Sequence, residues 1–272
     1  RPGIGRGGSR AAAGGGRELA PALARKSGAN LIEIYSAIQG EGPRVGERQV
    51  LVRLAGCNLS CRYCDTDTEI PRNCRAERRA GRRNWQGVPN PVASATALDL
   101  VERIARQVRH AAIAWTGGEP LLSDRFLRAV VPALRGLGLR QDLHTNASLP
   151  DRLAPLLDLF DEISADLKLP TSTGQHVDWD AAGRFVRLAR GKLAAVKIVL
   201  VRGLPGEEFE RALEVVAKAA PGATVVLQPV TPLAAGAEPP DPGELLQFQE
   251  RALRTFERVL VIPQTHKMLG QL

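Results

Sequence analysis

From Leu31 onward, short apolar runs alternate with stretches whose apolar residues recur every three or four positions. The short runs read as strands: 31–35 (LIEIY), 50–55, 111–115, 140–144, 161–167, 195–201 (AVKIVLV), 223–228 and 258–262. The longer periods predict helices over 95–109, 123–136, 150–158, 178–190, 206–219 and 241–254. Pro150 and Pro242 suit first-turn positions, and Ser123 with Asp124 suits a cap. Strand–helix alternation of this kind belongs to an α/β fold with a parallel sheet, which right-handed crossovers curl toward a full or partial barrel. Chemistry in such folds gathers at the C-terminal ends of the strands. Residues 1–29 are rich in Gly, Arg and Ala without a steady period and read as a disordered basic extension; 65–93 is polar and reads as a long loop or insertion.

Composition adds little to the fold but narrows the partners. The net charge of +8 is concentrated: residues 1–30 carry six Lys/Arg against one Glu, and 72–83 six Arg against one Glu, so the remainder is slightly acidic. Such segments can attract polyanions or be simply solvated. Aromatic residues make up only 4% of the chain and Trp85 alone lies near a basic run, which disfavours a base-stacking nucleic-acid module. No apolar run is long enough to span a membrane and no secretory signal is visible, so the expected location is cytoplasmic.

Three of the four cysteines fall in Gly56-Cys57-Asn58-Leu59-Ser60-Cys61-Arg62-Tyr63-Cys64-Asp65-Thr66, a C-x3-C-x2-C spacing. Three thiolates on one loop can hold three irons of a cubane and leave the fourth open. Zinc, with Cys74 as a fourth ligand, and a chance cluster of core cysteines are the competing readings. Other chemistry-bearing groups also sit at strand ends: Thr116-Gly117-Gly118-Glu119-Pro120, His144-Thr145-Asn146, Ser164 to Lys168, and Gln228 to Thr231. His144 is read as structural or functional with equal weight. Before the cysteines, Ile38-Gln39-Gly40-Glu41-Gly42 offers an amide and a carboxylate for a donor–acceptor heterocycle edge. Arg53 is a charge inside an apolar strand, facing either a substrate carboxylate or solvent. Thr66 offers a hydroxyl to a hard divalent ion.

The cysteine motif, with Tyr63 as the aromatic before its last cysteine, resembles the radical S-adenosylmethionine superfamily. The superfamily also includes glycyl-radical activating enzymes, but these give no reason for Gln39, Gly40, Glu41 and Thr66. The whole set, with Gln264-Thr265-His266-Lys267 near the end, resembles the 7-carboxy-7-deazaguanine synthase family from about residue 31 to 272. That resemblance implies a partial (β/α)6 radical-SAM-type barrel with an N-terminal strand extension. It implies a carbon–nitrogen lyase that converts 6-carboxy-5,6,7,8-tetrahydropterin to 7-carboxy-7-deazaguanine for deazapurines such as queuosine or archaeosine. The scheme the resemblance implies is that a 5′-deoxyadenosyl radical takes hydrogen from the pterin, the ring contracts, ammonia leaves and S-adenosylmethionine is regenerated.

The implied cofactors are a [4Fe-4S] cluster on Cys57, Cys61 and Cys64, S-adenosylmethionine, and Mg2+ on Thr66. The implied substrate residues are Ile38, Gln39, Gly40, Glu41, Arg53 and Thr116. Those for S-adenosylmethionine are Tyr63, Gly118, Glu119, Ser164, Asp166, Lys168 and Gln228; the Ser164-to-Lys168 stretch is two residues longer than the Ser-Pro-Lys of some members. The implied partners are the pterin, a flavodoxin or ferredoxin as electron donor, and a second copy in a homodimer, with neither nucleic acid nor membrane. The basic insertion at about 67–93 is read as a lid on the site or a surface for the reductase.

Overall fold

In the computed structural model, residues 27–66, 69–232 and 237–271 are described; residues 1–26, for which a disordered extension is expected, lie outside them. The alternation of the sequence becomes one sheet of ten strands. Its order is β12 (Val259–Val261), β11 (Val225–Pro229), β10 (Leu193–Leu200), β9 (Glu162–Leu167), β8 (Arg140–Thr145), β7 (Ala112–Gly117), β3 (Arg48–Leu54), β2 (Leu31–Ile38), β4 (Asn73–Glu77) and β5 (Trp85–Pro89). From β3 to β12 all neighbours are parallel, and β2 is antiparallel to β3. β2 is thus the strand extension on a partial barrel.

The crossovers carry α1 (Ser94–Ala105), α2 (Asp124–Leu134), the short α3 (Pro150–Leu153) and α4 (Pro170–Thr173), α5 (Trp179–Ala189), α6 (Gly206–Ala219) and α7 (Pro242–Leu253). A final turn, α8 (Thr265–Met268), follows β12. Helix ends follow local chemistry. Asp241 and Glu244 form a reciprocal capping box on α7, and the Asp178 side chain accepts from Ala181 N on α5. Ser123 does not cap α2 with its side chain, because Pro120–Ser123 is already a 3-10 turn leading into the helix. The 150–158 period is likewise split into α3 and a 3-10 turn over Ala154–Leu159.

Two-residue periodicity decides what faces the inside. In β9, Ile163, Ala165 and Leu167 are buried in the apolar layer while Glu162, Ser164 and Asp166 are partly accessible. Outside, Trp115 of β7 is fully buried, edge-on to Phe126 of α2, with its indole N–H donating to Gln141 Oε1 at 3.0 Å. Inside, the barrel is lined by polar and apolar side chains together and holds a cleft of about 250 Å³.

The 65–93 stretch corrects the loop expectation. It contains the antiparallel hairpin β4–β5, in parallel register on β2, and then β6 (Val92–Ala93), which pairs with β1 (Gly28–Ala29). Order therefore begins before Leu31. Cys74, opposite Val88 in this hairpin, is completely buried. Arg and Pro hid the strands: the arginines sit on the exposed side of an edge ribbon, where charge deters further pairing. The basic tip lies at the start of β3, where Arg48 donates to Ala80 O, whereas Cys57 follows the other end, roughly 20 Å along the strand.

Candidate active site

The cysteine loop leaves β3 at Gly56, which has φ +87°. It is held by the turn after β7: Gly118 N donates to Leu54 O at 2.8 Å and Glu119 N to Gly56 O at 2.9 Å. A Cβ on Gly118 would stand 1.9 Å from Gly56 O, and one on Gly117 (φ +103°) 2.3 Å from Leu54 O. Both glycines are required by the approach of two backbones. From the other side, Arg62 N donates to Thr173 O and Ser60 N to Gln175 Oε1.

Cys57, Cys61 and Cys64 all line the cleft, and Cys74 does not. Burial pushes the Cys61 thiol up to about 11 and raises Cys57 in the same direction. Both thiols stay protonated until a cation displaces the proton, as metal binding does. Leu59 N donates to Cys57 Sγ at 3.4 Å, and Asn146 Nδ2 lies 3.8 Å from it.

Glu119 is placed behind the cleft. It is 1% exposed, and its carboxylate accepts from Leu121 N, Thr145 Oγ1 and Asn146 N. Burial raises its pKa despite those bonds. Here it ties the β7 turn to the end of β8.

The inner face beyond the cysteines is a chain of paired charges. Lys168 Nζ donates to Tyr63 Oη at 3.0 Å and to Asp166 Oδ2 at 2.8 Å. Lys197, cross-strand neighbour of Asp166, lies 3.1 Å from the same oxygen and 2.6 Å from Glu41 Oε2. Gln264 Nε2 donates to Glu41 Oε1 at 2.7 Å and to Asp65 Oδ2 at 3.2 Å, and Lys267 pairs with Asp65 at 3.0 Å. Burial alone would favour the acid form of Glu41, Asp65 and Asp166, but the lysines hold all three below the usual carboxylate range. Two buried acceptors on this wall, Asp166 Oδ1 and Gln228 Oε1, have no partner among the described residues. Buried acceptors normally have one, so both oxygens are free to accept from a ligand or from water.

On the opposite wall Arg53 points inward. It pairs with Glu33 at 2.5 Å and donates to Thr66 Oγ1 at 2.8 Å; Arg75 grips the other oxygen of Glu33 at 2.6 Å. Burial opposes the Arg53 charge, but Glu33, together with Tyr35 and Asp65, more than compensates. Thr116 sits beside Arg53 in register. Ile38, Gln39, Gly40, Glu41, Gly118 and Ser164 also line the cleft.

The Gln39 amide is already committed: its Oε1 accepts from Glu41 N at 3.0 Å and its Nε2 donates to Gln49 Oε1 at 3.0 Å. It shapes the Gly40–Glu41 bend more than it offers a free edge. His144 Nε2 lies 3.4 Å from the same Nε2, which suits an imidazole that accepts there; burial lowers its pKa to about 4, so the ring is neutral. The C-terminal turn closes this end, with Thr265 N donating to Gly40 O at 2.9 Å.

The sequence reading missed three groups. Lys197 carried the same signal as Arg53, a charge in an apolar run. Glu33 alternated like any polar residue of a half-buried strand. Gln264 was quoted without a role. Trp85, the one aromatic beside a basic run, is packed by Tyr35 (ring centroids 5.8 Å apart) and Arg75 (4.9 Å), not presented for stacking.

Comparison with known proteins agrees with this geometry. The Radical SAM superfamily profile matches residues 51–216. The 7-carboxy-7-deazaguanine synthase of Geobacter sulfurreducens is 38% identical over 250 residues, covering 91% of this chain and 99% of that protein. The enzyme of the same name from Methanopyrus kandleri is 37% identical, covering 89% and 94%. Among solved structures, QueE from Escherichia coli superposes with a TM-score of 0.59 at 17% identity, over 90% of this chain and 98% of that one. A partial barrel with this cysteine loop and full-length relatives at this identity make the chain a member of the 7-carboxy-7-deazaguanine synthase family of the Radical SAM superfamily.

Proposed function

We propose that this protein converts 6-carboxy-5,6,7,8-tetrahydropterin to 7-carboxy-7-deazaguanine with release of ammonia, in deazapurine biosynthesis. The observation that carries the reading is the shared cleft. Three cysteines, two unpartnered buried acceptors and a guanidinium–carboxylate pair of walls open on one space.

Membership of the superfamily brings a [4Fe-4S] cluster and S-adenosylmethionine. Cys57, Cys61 and Cys64 fit the cluster, since all three cysteines line the cleft from one loop and thiolate is the natural iron–sulfur ligand. Tyr63, Gly118, Ser164, Asp166, Lys168 and Gln228 fit S-adenosylmethionine, a ligand with amino, carboxylate and ribose groups. Together the two supply a one-electron route to hydrogen abstraction from carbon, which no side chain here offers. Glu119 supports them from behind by fixing the β7 turn.

Substrate binding falls to the other wall. Arg53 offers a half-buried guanidinium to the pterin carboxylate. Thr66 keeps a second lone pair beyond its bond from Arg53 and stands beside Asp65; this oxygen pair suits Mg2+, which tolerates few protein ligands. Glu41 is an ionised acceptor aimed into the cleft, fit for the donor edge of an amino-pyrimidinone. Ile38, Gly40 and Thr116 complete that wall, and Gln39 holds the bend.

The electron donor is a flavodoxin or ferredoxin. It meets the protein near the cysteine loop rather than at the basic hairpin tip, which lies at the far end of β3. The protein acts as a homodimer in the cytoplasm; among the described residues no helix is long and apolar enough to cross a membrane.

The test is anaerobic incubation of reconstituted, reduced protein with carboxytetrahydropterin, S-adenosylmethionine and Mg2+. 7-Carboxy-7-deazaguanine and one equivalent of ammonia are expected. Fully loaded protein that consumes no pterin overturns the reading.

A further inference from the structure

Lys197 is a largely enclosed cation, its side chain 13% exposed, in the middle of the apolar strand β10, between Val196 and Ile198, both fully buried on the opposite face. Lysine is almost never placed so unless paired. Its ammonium bridges two carboxylates of separate elements, Glu41 on the bend after β2 and Asp166 on β9. A buried ion pair is poor at adding net stability, because desolvation consumes most of the attraction. Its retention in a ligand cleft therefore asks for another reason.

The geometry around Glu41 supplies one. Lys197 takes Oε2 and the Gln264 amide takes Oε1, so both oxygens are held and the plane of the carboxylate is set. Each oxygen keeps a lone pair for a donor in the cleft. An ionised carboxylate accepts at both oxygens, whereas its acid form would present a donor where the ligand also has donors.

We propose that Lys197 is a positioning residue for the pterin: it holds the Glu41 carboxylate in one orientation as an acceptor, and so sets how tightly the amino-pyrimidinone edge binds. The inference rests on the pterin reading above and deepens it. Lys168, which also donates to Tyr63, pairs with Asp166 without Lys197, so the S-adenosylmethionine wall keeps its own cation. The other groups facing Glu41 are His144 on β8, held neutral, and His266 on the C-terminal turn, with its pKa lowered by burial; Asp166 repels it. Without Lys197, burial and Asp166 would carry the Glu41 pKa upward toward neutrality.

The test measures pterin affinity directly, by anaerobic calorimetry on cluster-loaded protein from pH 6 to 8.5, together with KM and kcat. Lys197→Met should weaken pterin binding roughly 10- to 100-fold, the equivalent of one charge-assisted hydrogen bond. Its affinity should recover as pH rises and Glu41 ionises. Wild type and Lys197→Arg should share one pH profile. Glu41→Gln should show the loss without that added pH dependence, which separates Glu41 from His144 and His266. The double variant Glu41→Gln/Lys197→Met leaves neither group of this pair charged and should lose no more than Glu41→Gln alone. Affinity for S-adenosylmethionine should change by less than about threefold.

A Lys197→Met enzyme with wild-type pterin affinity and pH profile overturns the proposal. So does an additive double variant, or an equal loss of S-adenosylmethionine binding, which would place the action of Lys197 on Asp166. Wild-type protein that neither binds nor consumes the pterin would instead sink the functional reading itself.

Discussion

Gly118 approaches Gly56 so closely that a β-carbon on it would stand 1.9 Å from the Gly56 carbonyl oxygen. Neither side of that contact can yield, because both are backbone. The residue before Cys57 is thus positioned by a turn sixty residues away in the chain. Gly118→Ala should displace the cysteine loop while the sheet stays folded. Iron bound per chain after reconstitution should fall by half or more, with an unchanged far-ultraviolet circular dichroism spectrum. Full iron loading would show that the loop is set by other contacts.

Cys74 is buried in the hairpin, away from the cleft. Cys74→Ala should keep four irons per chain and lose about 1 kcal/mol of stability, the cost of a small buried apolar group. Serine at Cys57, Cys61 or Cys64 should instead abolish the 400 nm cluster absorbance. Cluster loss in Cys74→Ala would restore the four-ligand reading.

Thr66 Oγ1 accepts from Arg53 and stands next to Asp65. Thr66→Ala should leave the cluster intact and raise the Mg2+ concentration needed for half-maximal turnover about tenfold, a change of roughly 1.4 kcal/mol. An unchanged Mg2+ titration would remove Thr66 from the ion site.

Glu33 is fully buried between Arg53 and Arg75. Glu33→Gln leaves Arg53 without its anion. Because Arg75 is half-exposed and partly screened, the loss should be near 3 kcal/mol, the low end for breaking a buried pair. Urea unfolding measures it. The released Arg53 should also bind the pterin carboxylate less well, raising KM.

His144 is held neutral, its pKa lowered from 6.5 to about 4 by burial. The unfolded chain therefore binds more protons than the native one between those values. Stability from this group is present above about pH 6.5 and is lost as pH falls toward 4. His144→Gln should flatten the rise of the urea midpoint between pH 5 and 6.5. An identical slope in the variant would mean that other groups carry the pH dependence.

Much of this architecture was legible along the chain. The apolar runs at 31–35, 195–201 and the rest became strands because a two-residue period buries one face whatever the partner. The 206–219 period became α6 with the same ends. The C-x3-C-x2-C spacing confines three thiols to one loop by covalent geometry alone. The edge hairpin was not legible, since its strands are polar and gain their pairing only from β2.

Arg53 and Lys197 show where local pattern stops. Each is visible in the sequence as a charge within an apolar strand, and each is ambiguous there between solvent and interior. Curling of the sheet turned both inward and set Lys197 beside Asp166 in register, with Glu41 brought to it from 156 residues away. Packing of the β7 turn against the end of β8 set Glu119 behind the cleft, and the antiparallel pairing of β2 with β3 committed the Gln39 amide to Gln49. Sequence by itself determined the apolar strands of the main sheet, the longer helices and the cysteine loop, because these depend on periods and spacings within a few residues. Only the tertiary structure decided which charges share the cleft, because long-range electrostatic pairing depends on distances that no local period contains.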